Sequence, residues 1–390
     1  MKADWKKVKL GEVCLKIGSG ATPNGGSRVY IDSGVSFIRS QNVYNLNFEY
    51  NGLTYITDGA AKKLRGVTIE KDDILLNITG DSVARTCIVP TNVLPARVNQ
   101  HVSIIRLKKN TIIPKFLNYY LASPYMQSIM LGLAVGKGAS RNAITKTIIE
   151  NFEVPCPPLE IQQKIALILS AYDDLIENNR KQIKLLEEAA QRLYKEWFVD
   201  LRFPGYENVA IVDGVPEGWR KVKVCDVIKT LPKTKQIKTA DTLSQGKIPV
   251  IDQSREFIVG YTNDIETLIK SETPIIVFGD HTRILKLIQF PFARGADGTQ
   301  VFISKNDCIK EYQLYCALKQ VDLSNYSYAR HFKYLKEIEL LVATKNIAEQ
   351  FELNATEIFK SVQCLRNKIQ LLQQARDKLL PRLMSGDMEV

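Results

Sequence analysis

The residues whose types and spacing suit specific chemistry in this chain are forked hydrogen-bonding side chains set among small ones. Gly18-Ser19-Gly20-Ala21-Thr22-Pro23-Asn24-Gly25-Gly26-Ser27-Arg28 is a polar loop that precedes the strand-like Phe37-Ile38-Arg39-Ser40-Gln41-Asn42. Arg39, Gln41 and Asn42 can each make two hydrogen bonds to the edge of a nucleobase, and the hydroxyls of Ser19 and Thr22 suit a phosphate oxygen. An ordinary surface loop would use the same residues only to satisfy its own backbone. Two further segments, Lys137-Gly138-Ala139-Ser140-Arg141-Asn142 and Tyr328-Ala329-Arg330-His331-Phe332-Lys333, stand at corresponding places, each shortly before a long helical stretch. Small residues there let the backbone approach a partner, and Lys137, Arg141, Asn142, Arg330, His331 and Lys333 can contact a groove. The competing role is a hairpin that closes each domain. Arg85, Arg97 and Gln100, with Arg283, Arg294 and Gln300, complete the candidates, each set against a solvated or structural role.

Patterns that would carry catalysis come close and fail. Gly132-Leu133-Ala134-Val135-Gly136-Lys137-Gly138 resembles a phosphate loop but is one residue short and has no Ser or Thr after the lysine. Cys156-Pro157-Pro158-Leu159 imitates the Asn/Asp-Pro-Pro-aromatic motif of amino-methyltransferases. That chemistry needs an acceptor for the target amine and an aromatic ring to stack on the base, and cysteine and leucine supply neither. Gly18-Ser19-Gly20 lacks the strand–loop–helix setting of a cofactor loop, and no acid–lysine nuclease constellation is identifiable. The seven cysteines include no C-x-x-C pair and there are three histidines, which reads as reduced thiols without a metal site. Lys and Arg exceed Asp and Glu, giving a net charge of +11, which favours a polyanionic partner. No secretory signal and no membrane-spanning apolar run is found, so the expected location is cytoplasmic, with no membrane partner.

The elements that must position these residues occur twice. Trp5-Lys6-Lys7-Val8-Lys9-Leu10-Gly11-Glu12-Val13 returns as Trp219-Arg220-Lys221-Val222-Lys223-Val224-Cys225-Asp226-Val227, and Arg180-Lys181-Gln182-Ile183-Lys184-Leu185-Leu186 as Arg366-Asn367-Lys368-Ile369-Gln370-Leu371-Leu372. The offsets are 214 and 186, so the second copy is 28 residues shorter inside a shared frame. Short β-branched runs such as Val35-Ser36-Phe37-Ile38, Asp73 to Ile78 and Val102 to Leu107, and later Pro274 to Gly279 and Thr299 to Ile303, predict strands. Pro114 to Met130 predicts a helical stretch. Ile161, Ile165, Ile168, Tyr172, Leu175, Asn179, Ile183 and Leu186, spaced by fours and threes, predict a coiled-coil seam, and a second follows from Lys345. Asn179 is a lone polar seam residue, of the kind that fixes pairing. Tyr194, Trp197 and Phe198 are expected to pack between the helices rather than to dock a partner. Two equal helices predict antiparallel packing. The fold class expected is α+β: two mixed α/β domains and two long antiparallel coiled-coil helices in a pseudo-twofold internal repeat. The expected boundaries are 1–155, 156–200 (first helix), 201–218 (linker), 219–342 and 343–386 (second helix).

In this layout the chain resembles the specificity subunits of Type I restriction-modification systems. The resemblance rests on the Trp5 to Val13 and Gly18 to Pro23 segments, on Pro155-Cys156-Pro157-Pro158-Leu159-Glu160-Ile161-Gln162-Gln163-Lys164-Ile165, and on Leu379-Leu380-Pro381-Arg382-Leu383-Met384-Ser385-Gly386. The second copy departs from it, with Ala343-Thr344-Lys345-Asn346 in place of the proline run. The resemblance implies two target-recognition domains that each read one half of a bipartite duplex DNA sequence, with the helices as spacer. It implies no catalysis in this chain, two partner modification subunits that bind S-adenosylmethionine and methylate adenine, and motor-nuclease subunits that use ATP and Mg. The alternatives are a divergent DNA adenine methyltransferase or nuclease with catalysis in the chain itself, and a coiled-coil interaction protein.

Overall fold

The computed structural model describes residues 5–134, 143–295, 298–326 and 330–390. The chain divides into two compact units, one of residues 1–177 and 369–390, the other of residues 178–368.

The first unit opens with β1 (Lys7–Lys9), β2 (Cys14–Ser19), β3 (Val35–Ile38), β4 (Thr54–Ile56) and β5 (Thr68–Ile69). These are followed by β6 (Ile74–Asn77), β7 (Thr86–Ile88), β8 (Ala96–Val98) and β9 (Val102–Leu107). One sheet has the order β7-β6-β9-β2 and a second runs β4-β3-β8-β5, with Tyr30–Ile31 added at its β4 edge. β3 and β8 pair parallel, and the other pairings are antiparallel. The four residues of β6 are all buried, because successive side chains enter different cores. Ile74 and Leu76 face the helices, whereas Leu75 packs with Ile38, Val98 and Ile104 between the sheets.

Helix α1 (Pro114–Ala122) begins on a proline, which costs no hydrogen bond at that position. The predicted single stretch from Pro114 to Met130 is two helices, α1 and α2 (Pro124–Ala134). Pro124 pushes Ser123 into extended backbone, and the Ser123 hydroxyl then accepts from Met126 N at 3.3 Å to cap α2. Strand β10 (Glu153–Pro155) pairs with β1 and leads into the long helix α3 (Leu159–Tyr194).

The second unit repeats this order. It contains β11 (Arg220–Lys223), β12 (Ile228–Thr230), β13 (Ile248–Ile251), β14 (Gly260–Thr262) and β15 (Leu268–Ile269). Then come β16 (Ile275–Gly279), β17 (Leu285–Ile288), β18 (Phe292–Arg294) and β19 (Thr299–Ser304). After these stand α4 (Glu311–Lys319), α5 (His331–Glu337), β20 (Glu339–Val342) and the second long helix α6 (Lys345–Met384). The sheets run β17-β16-β19-β12 and β14-β13-β18-β15, with β13 and β18 parallel, and β11 pairs with β20 as β1 pairs with β10.

The missing residues can therefore be placed. Cys14 and Ile228 stand 214 apart in sequence, Pro114 and Glu311 stand 197 apart, and Glu153 and Glu339 stand 186 apart. The connections between strands account for the first loss, among them the six-residue helix Asp58–Lys63 between β4 and β5, which has no counterpart between β14 and β15 among the described residues. The second equals the 11 residues of α2, which has no counterpart between α4 and α5 among the described residues.

Within each unit the long helices run antiparallel. In the first, Asp173 of α3 pairs with Arg376 of α6 at 2.6 Å, and Lys164, earlier on α3, reaches the Val390 carbonyl at 3.5 Å. In the second, Glu187 pairs with Arg366 at 2.8 Å. At the end of α3 and in the π-helical turn Lys195–Val199 that follows it, Tyr194, Trp197 and Phe198 surround the fully buried Phe351, at 6.1, 5.8 and 5.2 Å between rings. These three aromatics pack between helices, as the seam spacing predicts. The 203–218 connection is itself ordered: Phe203 lies 4.6 Å from Trp219, ring to ring, and Ile211–Val212 pairs with Val215–Pro216.

Candidate nucleic-acid interface

Strand register brings the candidate residues of the first unit to one end of its sheets. Ser19 lies opposite Ser103, Asn77 opposite Val102, and Ile38 beside Val98 on parallel strands. The turns that leave β2, β3, β6 and β8 therefore open together. Gly20 is required at this junction, because Gly20 N donates to Val102 O and a Cβ there would collide with the carbonyl oxygens of Val98 and Asn99.

Polar side chains at this end form a chain. The Thr22 hydroxyl donates to Gln100 Oε1, and Gln100 Nε2 lies 3.3 Å from His101 Nε2. With Gln100 donating, the ring proton sits on Nδ1 and faces the Thr79 hydroxyl at 2.6 Å. Arg39 Nη2 and Gln41 Nε2 both donate to the Gly52 carbonyl at 2.9 Å, which pins the turn after β3 while Gln41 stays exposed. Ser19 and Thr22 are also exposed.

Other candidates are displaced from this surface. Asn42 is fully buried: its Oδ1 accepts from Arg39 N at 3.0 Å and its Nδ2 donates to Glu49 O at 2.9 Å, so it shapes the turn. Arg97 turns inward to the Ala61 and Ala96 carbonyls at 3.1 and 2.9 Å, and burial lowers its pKa. Arg85 lies over the Tyr44 ring at 4.5 Å. Lys137, Arg141 and Asn142 lie outside the described residues.

In the second unit, Gly279 lies opposite Thr299 and Ile251 beside Arg294, so the turns after β13, β16 and β18 also share one end. Arg283 is exposed there, in left-handed backbone at φ 61°, with Nη1 donating to Leu323 O at 3.0 Å. Gln300 is half-buried on β19, opposite Phe278. Arg330 and Lys333 are exposed at the start of α5, with Lys333 Nζ 5.9 Å from the Tyr334 ring. Arg294 and His331 are buried. The His331 Nδ1 and Nε2 each lie 2.8 Å from a backbone carbonyl, of Asp280 and Tyr326 respectively, which ties α5 to the turn after β16.

The structure adds residues that sequence reasoning passed over. Gln253 Oε1 accepts from His281 N at 3.1 Å, and the Thr282 hydroxyl donates to Gln253 O at 2.6 Å. Arg255, in the same turn as Gln253, is exposed. The signal that finds them is positional: Ile251 of β13 corresponds to Ile38 of β3, so residues 252–256 follow their strand as Arg39, Gln41 and Asn42 follow theirs. Among the described residues no group of three His, Cys, Asp or Glu could hold a metal ion, and no helix is long and apolar enough to cross a membrane.

Two similar domains, each with polar turns gathered at one end of its sheets, define a class of repeated-domain protein. Residues 2–188 match the family described as Type I restriction modification DNA specificity domain. The Type I restriction enzyme MjaIX specificity subunit of Methanocaldococcus jannaschii is 26% identical over 99% of this chain and 94% of its own length. The HindI specificity subunit of Haemophilus influenzae is 29% identical over 55% of this chain and 45% of its own. The crystal structure of the Type I restriction-modification S subunit from M. genitalium shares the fold, with a TM-score of 0.54, 16% identity, and coverage of 98% of this chain and 96% of that one. Residues 2–188 thus belong to that specificity-domain family, and the chain is similar along nearly its whole length to Type I restriction-modification specificity subunits.

Proposed function

We propose that this chain is a specificity subunit that recognises a bipartite duplex target, one half through each domain, and directs partner modification and restriction subunits to it. The observation that supports this best is the pairing of conserved strand order with divergent turns. Both sheets repeat in strand order, with Tyr30–Ile31 added at one edge in the first domain, while their open ends carry different polar residues: Thr22, Arg39, Gln41 and Gln100 in one domain, Gln253, Arg255, Arg283 and, on β19, Gln300 in the other. A scaffold copied to hold two different sets of forked donors and acceptors suits two different base sequences. The surplus of basic residues, 53 against 42 acidic, supplies the sequence-independent attraction to phosphate.

On this reading two modification subunits dock on the chain and bring S-adenosylmethionine and adenine methylation, and motor-nuclease subunits bring ATP, Mg and cleavage. The complex works in the cytoplasm. The test is a genome-wide map of methylated adenines with and without this gene, repeated after residues 219–342 are exchanged for another family member's. Methylation at a two-part sequence that disappears with the gene, and of which the exchange alters one part, is the expected result. Methyl transfer by the isolated chain, or an exchange that alters both parts, overturns the proposal.

A further inference from the structure

Strand β17 carries a lysine inside the second domain. Lys286 is 4% exposed, and its Nζ donates to the backbone carbonyls of Asp252, at 2.9 Å, and Glu256. The Asp252 carboxylate lies 3.8 Å away. Both carbonyls belong to one turn, residues 252–256, that leaves β13 at the open end of the sheets. An ammonium out of water is costly, and it persists only where its donors and its charge are met. Here all of these partners come from that single turn.

The fold does not require a charge at this position. Lys286 pairs across the sheet with Val277, and the corresponding place in the first domain, opposite Leu75, holds the buried Cys87. What the lysine adds is therefore read from what it touches. It grips the turn from beneath at both ends, while Phe257, just beyond, is held from outside by the Arg366 guanidinium 4.0 Å from its ring and by Phe290 at 6.1 Å. Between these clamps, Arg255 is exposed.

We propose that Lys286 is a positioning residue for recognition by the second domain, fixing the 252–256 turn so that Gln253 and Arg255 are presented to the duplex in one geometry. This rests on the two-domain recognition reading. Charge enters as a consequence: burial lowers the Lys286 pKa to about 8 against the opposing pull of Asp252 and Glu256, the charged groups acting on it. Above that pH the charge-assisted bonds to the turn become neutral ones of about half the strength. The sign for stability is opposite. The folded pKa lies below the ordinary value of 10.5, so the unfolded chain binds the extra proton between the two, and the domain gains stability as pH rises across that window. A lysine that only filled space would not move recognition and stability in opposite directions.

The test uses the full chain assembled with its partner subunits and a library of randomised duplexes, with the bound fraction sequenced at about pH 7 and about pH 9, either side of the shifted lysine value. Wild type is expected to select a two-part sequence at the lower pH. Lys286→Met should keep one part and relax the other about tenfold. At the higher pH wild type should relax that same part a few-fold, and the Met variant should change no further. Unchanged selection by the Met variant, equal loss of both parts, or a wild-type preference that does not vary with pH overturns the proposal. If Lys286→Met does not fold, the wild-type pH comparison decides by itself. If wild type selects no two-part sequence at all, the recognition reading fails and this proposal falls with it.

Discussion

In the first domain the turn after β3 is tied down by an amide: the buried Asn77 donates through Nδ2 to the carbonyls of Ser40, at 2.9 Å, and Val43, at 3.4 Å. In the second domain the corresponding turn is tied by the Lys286 ammonium. The same contrast recurs where a long helix meets the short helix beside it. Gln162 of α3 accepts from Ile113 N at 2.8 Å, just before α1, whereas Glu352 of α6 accepts from Tyr312 N and Gln313 N, both at 3.2 Å, at the start of α4. Each brace needs a donor or an acceptor at a fixed place, and a neutral amide meets that need in one copy. A charged group meets it in the other and brings a pH dependence the first copy lacks.

The comparison breaks first at the cores, where the two units should behave alike. Phe351 and Ile165 stand 186 residues apart at matching places of the two long helices, and both are fully buried. Phe351→Ala should cost about 3–5 kcal/mol and Ile165→Ala about 2–5 kcal/mol. Amide hydrogen exchange should locate the damage, faster in β16 for the first variant and in β6 for the second. Exchange that quickens equally in both strands for either variant would mean the cores are not separate.

The comparison sharpens at Glu352. Burial raises its pKa to about 7, against the pull of the Tyr312 and Gln313 amides. The folded state therefore binds an extra proton between the ordinary value of 4.5 and about 7. Stability of the second unit should fall as pH rises through that window, by at most about 1.4 kcal/mol per pH unit, and stay level above it. Trp197 and Trp219 are buried in this unit, so urea unfolding followed by fluorescence reports on it. Glu352→Gln should remove the slope, and a slope that survives would assign it to other groups.

How far the sequence reaches is visible in particular residues. The long helices follow from apolar spacing, although α3 buries Ile165, Leu169 and Ile176 while Ile168 and Leu175 of the expected seam are exposed, and the strands at 35–38, 74–77 and 102–107 follow because turn residues bound them. The break at Ser123 was written in Ser-Pro, but the apolar run across it reads as one helix. Residue type points to the candidates, but type does not separate an exposed Gln41 from a buried Asn42 one position later. Nor does it show that Arg294 and His331 are buried. The 252–256 turn is not legible in the sequence, because shortened turns shift its alignment with the first copy. Lys286 sits in Leu285-Lys286-Leu287-Ile288, an alternation that reads as a half-exposed strand until the turn folds over it.

The smallest effect separates two arginines of the second domain that are both exposed. Arg330 lies at the N-terminus of α5, outside the clamped turn, and Arg255 lies within it. A guanidinium that only meets phosphate contributes equally to every sequence. Arg330→Ala should therefore weaken binding uniformly and reduce the slope of log affinity against log salt by about 1, with the selected sequence intact. Arg255→Ala should instead alter preference at one or two base pairs, by about 1–3 kcal/mol each. A salt titration beside duplex selection distinguishes them, and a sequence change in the Arg330 variant would move base recognition from the clamped turn to the start of α5.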